Sequence, residues 1–147
     1  MRKQLLMSLT TLSLLVTLSA ASVCAQSGVR LNVNIPFEFS VRDQTFPAGE
    51  YTVRYIAQGV LAIQSADRHA SQIFTVSTRP GTRRDESSIV FNQYGNRYFL
   101  SSIWTAGNDY GYELRKFDAE RQLIRARSAV AEGASESQIV CIVARWY

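Results

Sequence analysis

An alternation of period two dominates the chain from residue 31 onward. Leu31, Val33 and Ile35 alternate with Asn32 and Asn34; after Pro36, Phe37, Phe39 and Val41 alternate with Glu38 and Ser40. Tyr51, Val53 and Tyr55 continue it. Successive strand residues point to opposite faces, so this spacing specifies half-buried sheet rather than a helical stripe. Turn residues interrupt the runs at short intervals: Arg42-Asp43-Gln44, Pro47-Ala48-Gly49, Gln58-Gly59, Ala66-Asp67-Arg68-His69, Gly95-Asn96 and Ala106-Gly107-Asn108-Asp109. Further strands are expected over 60–64, 71–77, 88–93, 97–105 and 138–144, with a polar loop over 79–87. Connections this short leave no room for parallel crossovers. The expectation is an all-β fold with one short C-terminal helix: a single antiparallel β-sandwich or flattened barrel of about eight strands.

Two local patterns refine that picture. Asp118 to Arg127 reads as the helix, with Asp118 as N-cap, Glu120 in the first turn and Arg125 and Arg127 in the last. Ala119, Leu123 and Ala126 would then face the sheet. Gly49-Glu50-Tyr51-Thr52-Val53 is similar to the tyrosine corner of β-sandwiches, in which the phenol bonds back to nearby backbone.

The first 25 residues carry a different signal. Met1-Arg2-Lys3 is a short positive end, Leu5 to Ala21 is an apolar run containing Ser and Thr, and Val23-Cys24-Ala25 closes it in the A-x-A manner. This is the layout of a secretory signal peptide, with cleavage expected between Ala25 and Gln26 and a single β-rich domain over 26–147. An uncleaved anchor wants a more strongly apolar span. A lipoprotein cut before Cys24 ranks lower, because Val23 precedes that cysteine. The expected location is periplasmic or extracellular, with no transmembrane span after cleavage.

Cleavage would remove Cys24 and leave Cys141 as the single thiol, so the mature domain would hold no internal disulfide. Cys141 lies in the apolar run Ile139-Val140-Cys141-Ile142-Val143 and is expected to be a small buried residue. The full chain carries 16 Lys+Arg against 12 Asp+Glu, a net +4; loss of Arg2 and Lys3 leaves 14 against 12, a net +2. A surplus this small and this scattered argues against a nucleic-acid partner. Arg79, Arg83 and Arg84 cluster, but beside Asp85 and Glu86, as in a solvated loop.

Pro36-Phe37-Glu38-Phe39, Phe46-Pro47-Ala48-Gly49-Glu50-Tyr51-Thr52-Val53 and Phe91-Asn92-Gln93-Tyr94-Gly95-Asn96-Arg97-Tyr98-Phe99-Leu100, followed by Ile103-Trp104, together resemble a family of small exported β-rich proteins of soil and other environmental bacteria. The resemblance spans about Asn34 to Arg127. It implies export and a β fold, and it brings no activity, cofactor or catalytic residue. Members often have Pro after a Glu-Leu pair, where this chain has Glu113-Leu114-Arg115.

No catalytic constellation stands out. His69, the one histidine, sits in a polar turn. A hydrolytic triad needs a positioned base, and a metal site needs clustered ligands. Neither is visible, nor is a nucleophile elbow, a phosphate-cradling loop or a dinucleotide fingerprint, so no cofactor is expected. The candidate site residues are the aromatics on or beside one hairpin: Tyr94, Tyr98, Trp104, Tyr110 and Tyr112. Exposed together they would form a stacking platform or contact patch; otherwise they are core and cross-strand packing. Along 97–105 the alternation puts Tyr98, Leu100 and Trp104 on one face and Phe99 and Ile103 on the other. The leading expectation is a non-enzymatic exported domain of the cell envelope that binds a protein or glycan. The alternatives are a lipocalin-like barrel around a small apolar ligand and an envelope hydrolase with an unrecognised site.

Overall fold

Ten strands and one helix account for the regular structure in a computed structural model that describes residues 30–130 and 137–146. The expected export segment, with its cut between Ala25 and Gln26, lies outside the described residues, as do Tyr147 and most of the loop expected over 132–137.

The strands are β1 (Arg30–Ile35), β2 (Phe39–Val41), β3 (Gln44–Phe46), β4 (Gly49–Ala57), β5 (Val60–Ser65), β6 (Ser71–Pro80), β7 (Ser87–Tyr94), β8 (Arg97–Trp104), β9 (Tyr110–Leu114) and β10 (Gln138–Trp146). Helix α1 (Asp118–Val130) joins β9 to β10. Eight strands close into an antiparallel ring in the order β1-β4-β5-β6-β9-β8-β7-β10 and back to β1. Two three-stranded meanders, β4–β6 and β7–β9, thus meet at β6–β9 on one side and through β1 and β10 on the other. Closure leaves no free edge within the ring, and of the two architectures expected it selects the barrel. β9 has no counterpart in the sequence reading.

The alternation of β1 and β4 maps directly onto this ring. Leu31, Val33, Ile35, Tyr51 and Val53 point inward and are buried; Asn32, Asn34, Glu50 and Thr52 point outward. Leu61, Ile63, Phe74, Ile89, Phe91, Leu100, Ile103, Leu114 and Ala144 complete the interior. At one end the β2–β3 hairpin inserts Phe39 and Phe46 against Tyr51 and Phe91, with centroid separations of 5.1 to 5.9 Å. β2 reaches β8 through a short parallel pairing, Phe39 with Tyr98 and Ser40 with Phe99, a contact that the all-antiparallel expectation does not contain. At the other end Tyr55 and Tyr112 lie 6.1 Å apart above a void of about 10 Å³ bounded by Leu31, Val53, Leu61, Ile103 and Thr105.

The expected tyrosine corner forms: Tyr51 Oη donates to the Pro47 carbonyl at 2.6 Å, tying the bend at 47–49 to β4. The turn at 42–43 places Arg42 at φ 58°, and Gly59 and Gly95 supply positive φ in two hairpins.

Four expectations need correction. A register shift between Val90 and Phe91 leaves Ser101 unpaired, because Val90 opposes Ser102 while Phe91 opposes Leu100. That bulge flips the parity of β8. Tyr98, Leu100 and Ile103 therefore face the interior, whereas Phe99, Ser102 and Trp104 face outward. Cys141 is exposed, because on β10 the inward positions are Val140, Ile142 and Ala144. The helix runs on to Val130, and its first intrahelical bond runs from Arg121 N to Phe117 O, so Asp118 lies inside the first turn rather than capping it. Its inward stripe is Glu120, Leu123 and Ile124, while Ala126 is exposed.

Candidate functional site

The five aromatic candidates are distributed over four places. Tyr94 points outward from β7 beneath α1, where its hydroxyl donates to Glu120 Oε1 at 3.1 Å and its ring meets Phe99 at 5.9 Å. Asn92 Nδ2 donates to the same carboxylate oxygen at 3.0 Å, so Glu120, only 4 % exposed, docks the helix on the barrel wall. Burial first, and then the Glu120 charge, raise the Tyr94 pKa above the usual phenol value. Tyr98 stacks on Phe37 at 3.9 Å on the hairpin-closed end.

Trp104 lies in a slot on the outer wall. Gly111 on β9 is directly opposite it, Gly81 closes the ring edge, and the Arg84 guanidinium sits 4.3 Å above the ring. Arg84 is therefore partly engaged by its loop's own packing. Glycine beneath an aromatic in the neighbouring strand lets the ring cover bare backbone. Tyr110 and Tyr112 meet at 5.8 Å at the barrel end. Burial raises the Tyr112 pKa to about 12, assisted by its hydrogen bond with Tyr110. Of the five, Tyr110 alone is exposed, and no common platform joins them.

A concavity that none of the five lines lies on the outer face of β10, β1 and β4. It has a volume of about 630 Å³, and the side chains directed into it come from Asn32, Asn34, Glu50, Thr52, Val143 and Arg145. Register explains the set. Asn32 opposes Thr52 on one side and Arg145 on the other, and Asn34 opposes Glu50. Inward Leu31, Val33, Tyr51 and Val53 force these partners outward. Thr52 Oγ1 donates to Asn32 Oδ1 at 2.8 Å, fixing the amide. The β5–β6 turn forms one wall, held by the bond from Ala66 N to Glu50 O at 2.9 Å. Beyond it a second hollow of about 400 Å³, lined by Pro47, Glu50, Ser65, Asp67 and His69, continues the depression.

Charge is distributed unevenly along this face. Glu50 and Asp67 occupy the turn end. Ser65 Oγ and His69 N both donate to Asp67 Oδ1, and these hydrogen bonds hold its carboxyl below the ordinary range. Arg145 occupies the opposite end. The site thus combines amide, hydroxyl, carboxylate and guanidinium groups on a rigid sheet, beside the aliphatic side chain of Val143. Such a surface presents fixed donors and acceptors of the kind a polar molecule requires. Among the described residues no group of three or more His, Cys, Asp or Glu is placed to hold a metal ion. No helix of the described residues is long and apolar enough to cross a membrane.

Sequence reasoning misses this groove because β1 and β10, which meet in it, are more than a hundred positions apart. The one local signal is the polar half of the alternation, Asn32, Asn34, Glu50 and Thr52. A scan against family models, a search of curated proteins and a search of solved structures returned no match.

Proposed function

We propose that this chain is an exported, non-enzymatic barrel that binds a glycan through the groove over β10, β1 and β4. Export rests on the layout of residues 1–25 and on the resemblance to small exported β-rich proteins. The observation that carries the binding reading is the composition of the groove: outward amides, a hydroxyl and charges at both ends line a concavity of about 630 Å³. That volume lies within the range of ligand sites, but the lining is about half polar, where sites for apolar molecules are mostly hydrophobic. A hydroxyl-rich ligand matches donors and acceptors presented at fixed strand spacings.

The test is binding of the purified protein to an oligosaccharide array, followed by calorimetry on any ligand found. Asn32→Ala and Thr52→Val are expected to weaken binding at least tenfold while the melting temperature moves little. Array-wide silence, or full affinity in both variants, would refute the groove as a glycan site.

A protein partner is the second reading, favoured by Ile139 at 73 % and Val143 at 57 % exposure on the outer face of β10. Protein interfaces carry an apolar centre and a polar rim. Here the polar row of β1 lies between β10 and the other exposed aliphatics, Ile56 on β4 and Ile73 on β6, which inverts that arrangement. A lipocalin-like site inside the barrel would have to grow from the void of about 10 Å³ beneath Tyr55 and Tyr112. A void that size holds at most about one water.

A further inference from the structure

Strand register gathers three arginines that are remote in sequence. Arg30 on β1 directly opposes Arg54 on β4, and both point outward. Arg145 opposes Asn32, which places it diagonally from Arg30 on the same face. Opposed strand residues stand about 5 Å apart at Cβ and diagonal ones about 7–8 Å apart, within reach of arginine side chains. Like charges facing one another across a pair destabilise a sheet.

None of the three forms an ion pair among the described residues, although the β10–β7 register, Ala144 opposite Ser87, brings Glu86 next to Arg145. The two ion pairs among the described residues are Arg79 with Glu113 and Arg121 with Asp118, both elsewhere. Arg54 Nη2 donates to Gln64 Oε1 at a long 3.4 Å, and Arg54 Nε is buried without an acceptor. The nearest carboxylate along β4 is Glu50, four residues away, or about 13 Å at strand rise. Such a separation exceeds the Debye length of about 8–10 Å near physiological salt. Arg145 lines one end of the groove and, by register, Arg30 and Arg54 lie just past it, which makes that end cationic, while Glu50 at the other end and Asp67 in the adjoining hollow repel anions.

We infer that the groove's ligand is an acidic glycan, bound with its anionic group at Arg30, Arg54 and Arg145 and its neutral hydroxyls along Asn32, Asn34 and Thr52. This deepens the glycan reading and rests on it. Guanidinium groups recognise carboxylate and sulfate oxygens through paired, charge-assisted hydrogen bonds, and the acidic turn fixes the direction in which the chain lies.

The experiment compares four probes by calorimetry on the purified protein: tetragalacturonate, a sulfated tetrasaccharide, maltotetraose and a tetraglutamate peptide. Tetragalacturonate or the sulfated probe should bind at least tenfold tighter than maltotetraose, and which of the two leads identifies the acid. Arg54→Gln and Arg145→Gln should each remove about tenfold of that preference, and Arg54→Lys should retain more of it than Arg54→Gln. Maltotetraose affinity should fall less than that for the acidic probe in all three, and a thermal unfolding midpoint close to that of the unsubstituted protein reports that the variants are folded. Equal binding of neutral and acidic sugars, or arginine variants that keep the preference, overturns the acidic-ligand inference and leaves the glycan reading standing. Tetraglutamate binding tighter than either acidic sugar overturns it in favour of an acidic peptide. Silence from every saccharide overturns both readings.

Discussion

Gly111→Ala tests the outer-wall slot, because two effects of known size act there in opposite directions. Gly111 does not have positive φ, so alanine meets no backbone strain. Replacing glycine inside a strand would by itself be worth about 0.5–1 kcal/mol of added stability. The new Cβ, however, would stand 2.7 Å from Trp104 Cδ2 and 2.8 Å from Cε3, closer than carbon atoms approach. The indole cannot simply retreat. Its Nε1 donates to Ser102 Oγ at 3.1 Å, Gly81 abuts its far edge, and Arg84 lies over its face.

Overpacking of this kind costs about 1–3 kcal/mol, so the steric cost exceeds the propensity gain and the net loss is about 1–2 kcal/mol. For a domain of this size that corresponds to a fall in Tm of roughly 4–8 °C. Thermal unfolding by circular dichroism measures it. Trp104→Phe, with a smaller ring, should then tolerate the alanine, giving a coupling of about 1 kcal/mol in the double variant. A Tm that rises on Gly111→Ala, as strand propensity alone demands, would show that Trp104 does not occupy the slot. Additive single and double variants would show the same.

Two shorter predictions concern other tyrosines. Tyr51→Phe removes the hydroxyl bonded to the Pro47 carbonyl and keeps the ring packed on Phe39 and Phe46, so urea unfolding should show a loss of about 1 kcal/mol with an unchanged m-value. A loss below about 0.3 kcal/mol would mean that the corner contributes nothing measurable. Tyr112, with its pKa raised to about 12 in the folded barrel, remains neutral where an unfolded tyrosine has ionised. Its contribution is fully present below about pH 10 and is lost as pH rises toward 12. Difference absorbance at 295 nm against a Tyr112→Phe control should place this late ionisation, and a Tyr112 signal complete by pH 10 would contradict the closed barrel end.

What was legible in the residues follows from how local the physics was. Leu31-Asn32-Val33-Asn34-Ile35 declares its buried face because polar and apolar residues strictly alternate, and Gly95 marks its turn by a backbone need. In Tyr98-Phe99-Leu100 and Ile103-Trp104 both parities are apolar, so nothing local reveals that Ser101 drops out of register and turns Trp104 to the outer wall. The run Ile139–Val143 is ambiguous for the same reason. Which half is buried depends on β10 entering the ring between β1 and β7, and that choice exposes Cys141. Glu120 looks like a dipole-compensating acid in a first helical turn. It is instead the helix's buried anchor, because Asn92 and Tyr94 await it on β7.

The division of the outer wall favours the groove as the proposed binding site. On β7, β8 and β9 the large outward groups are covered: Tyr94 by α1, Phe99 by Tyr94 and Arg97, and Trp104 by the 81–84 loop. On β10, β1, β4, β5 and β6 the outward groups remain open, and they include Ile56, Ile73, Ile139 and Val143 together with Arg30, Arg54 and Arg145. A wall selected only for solubility would carry mixed charges there, with opposite signs opposed across the strands. Instead two arginines oppose each other on adjacent strands, and aliphatic side chains flank a polar trough. The folding of the ring gains nothing from either feature. On the proposed reading, an acidic glycan seated on that half of the barrel would neutralise the opposed arginines.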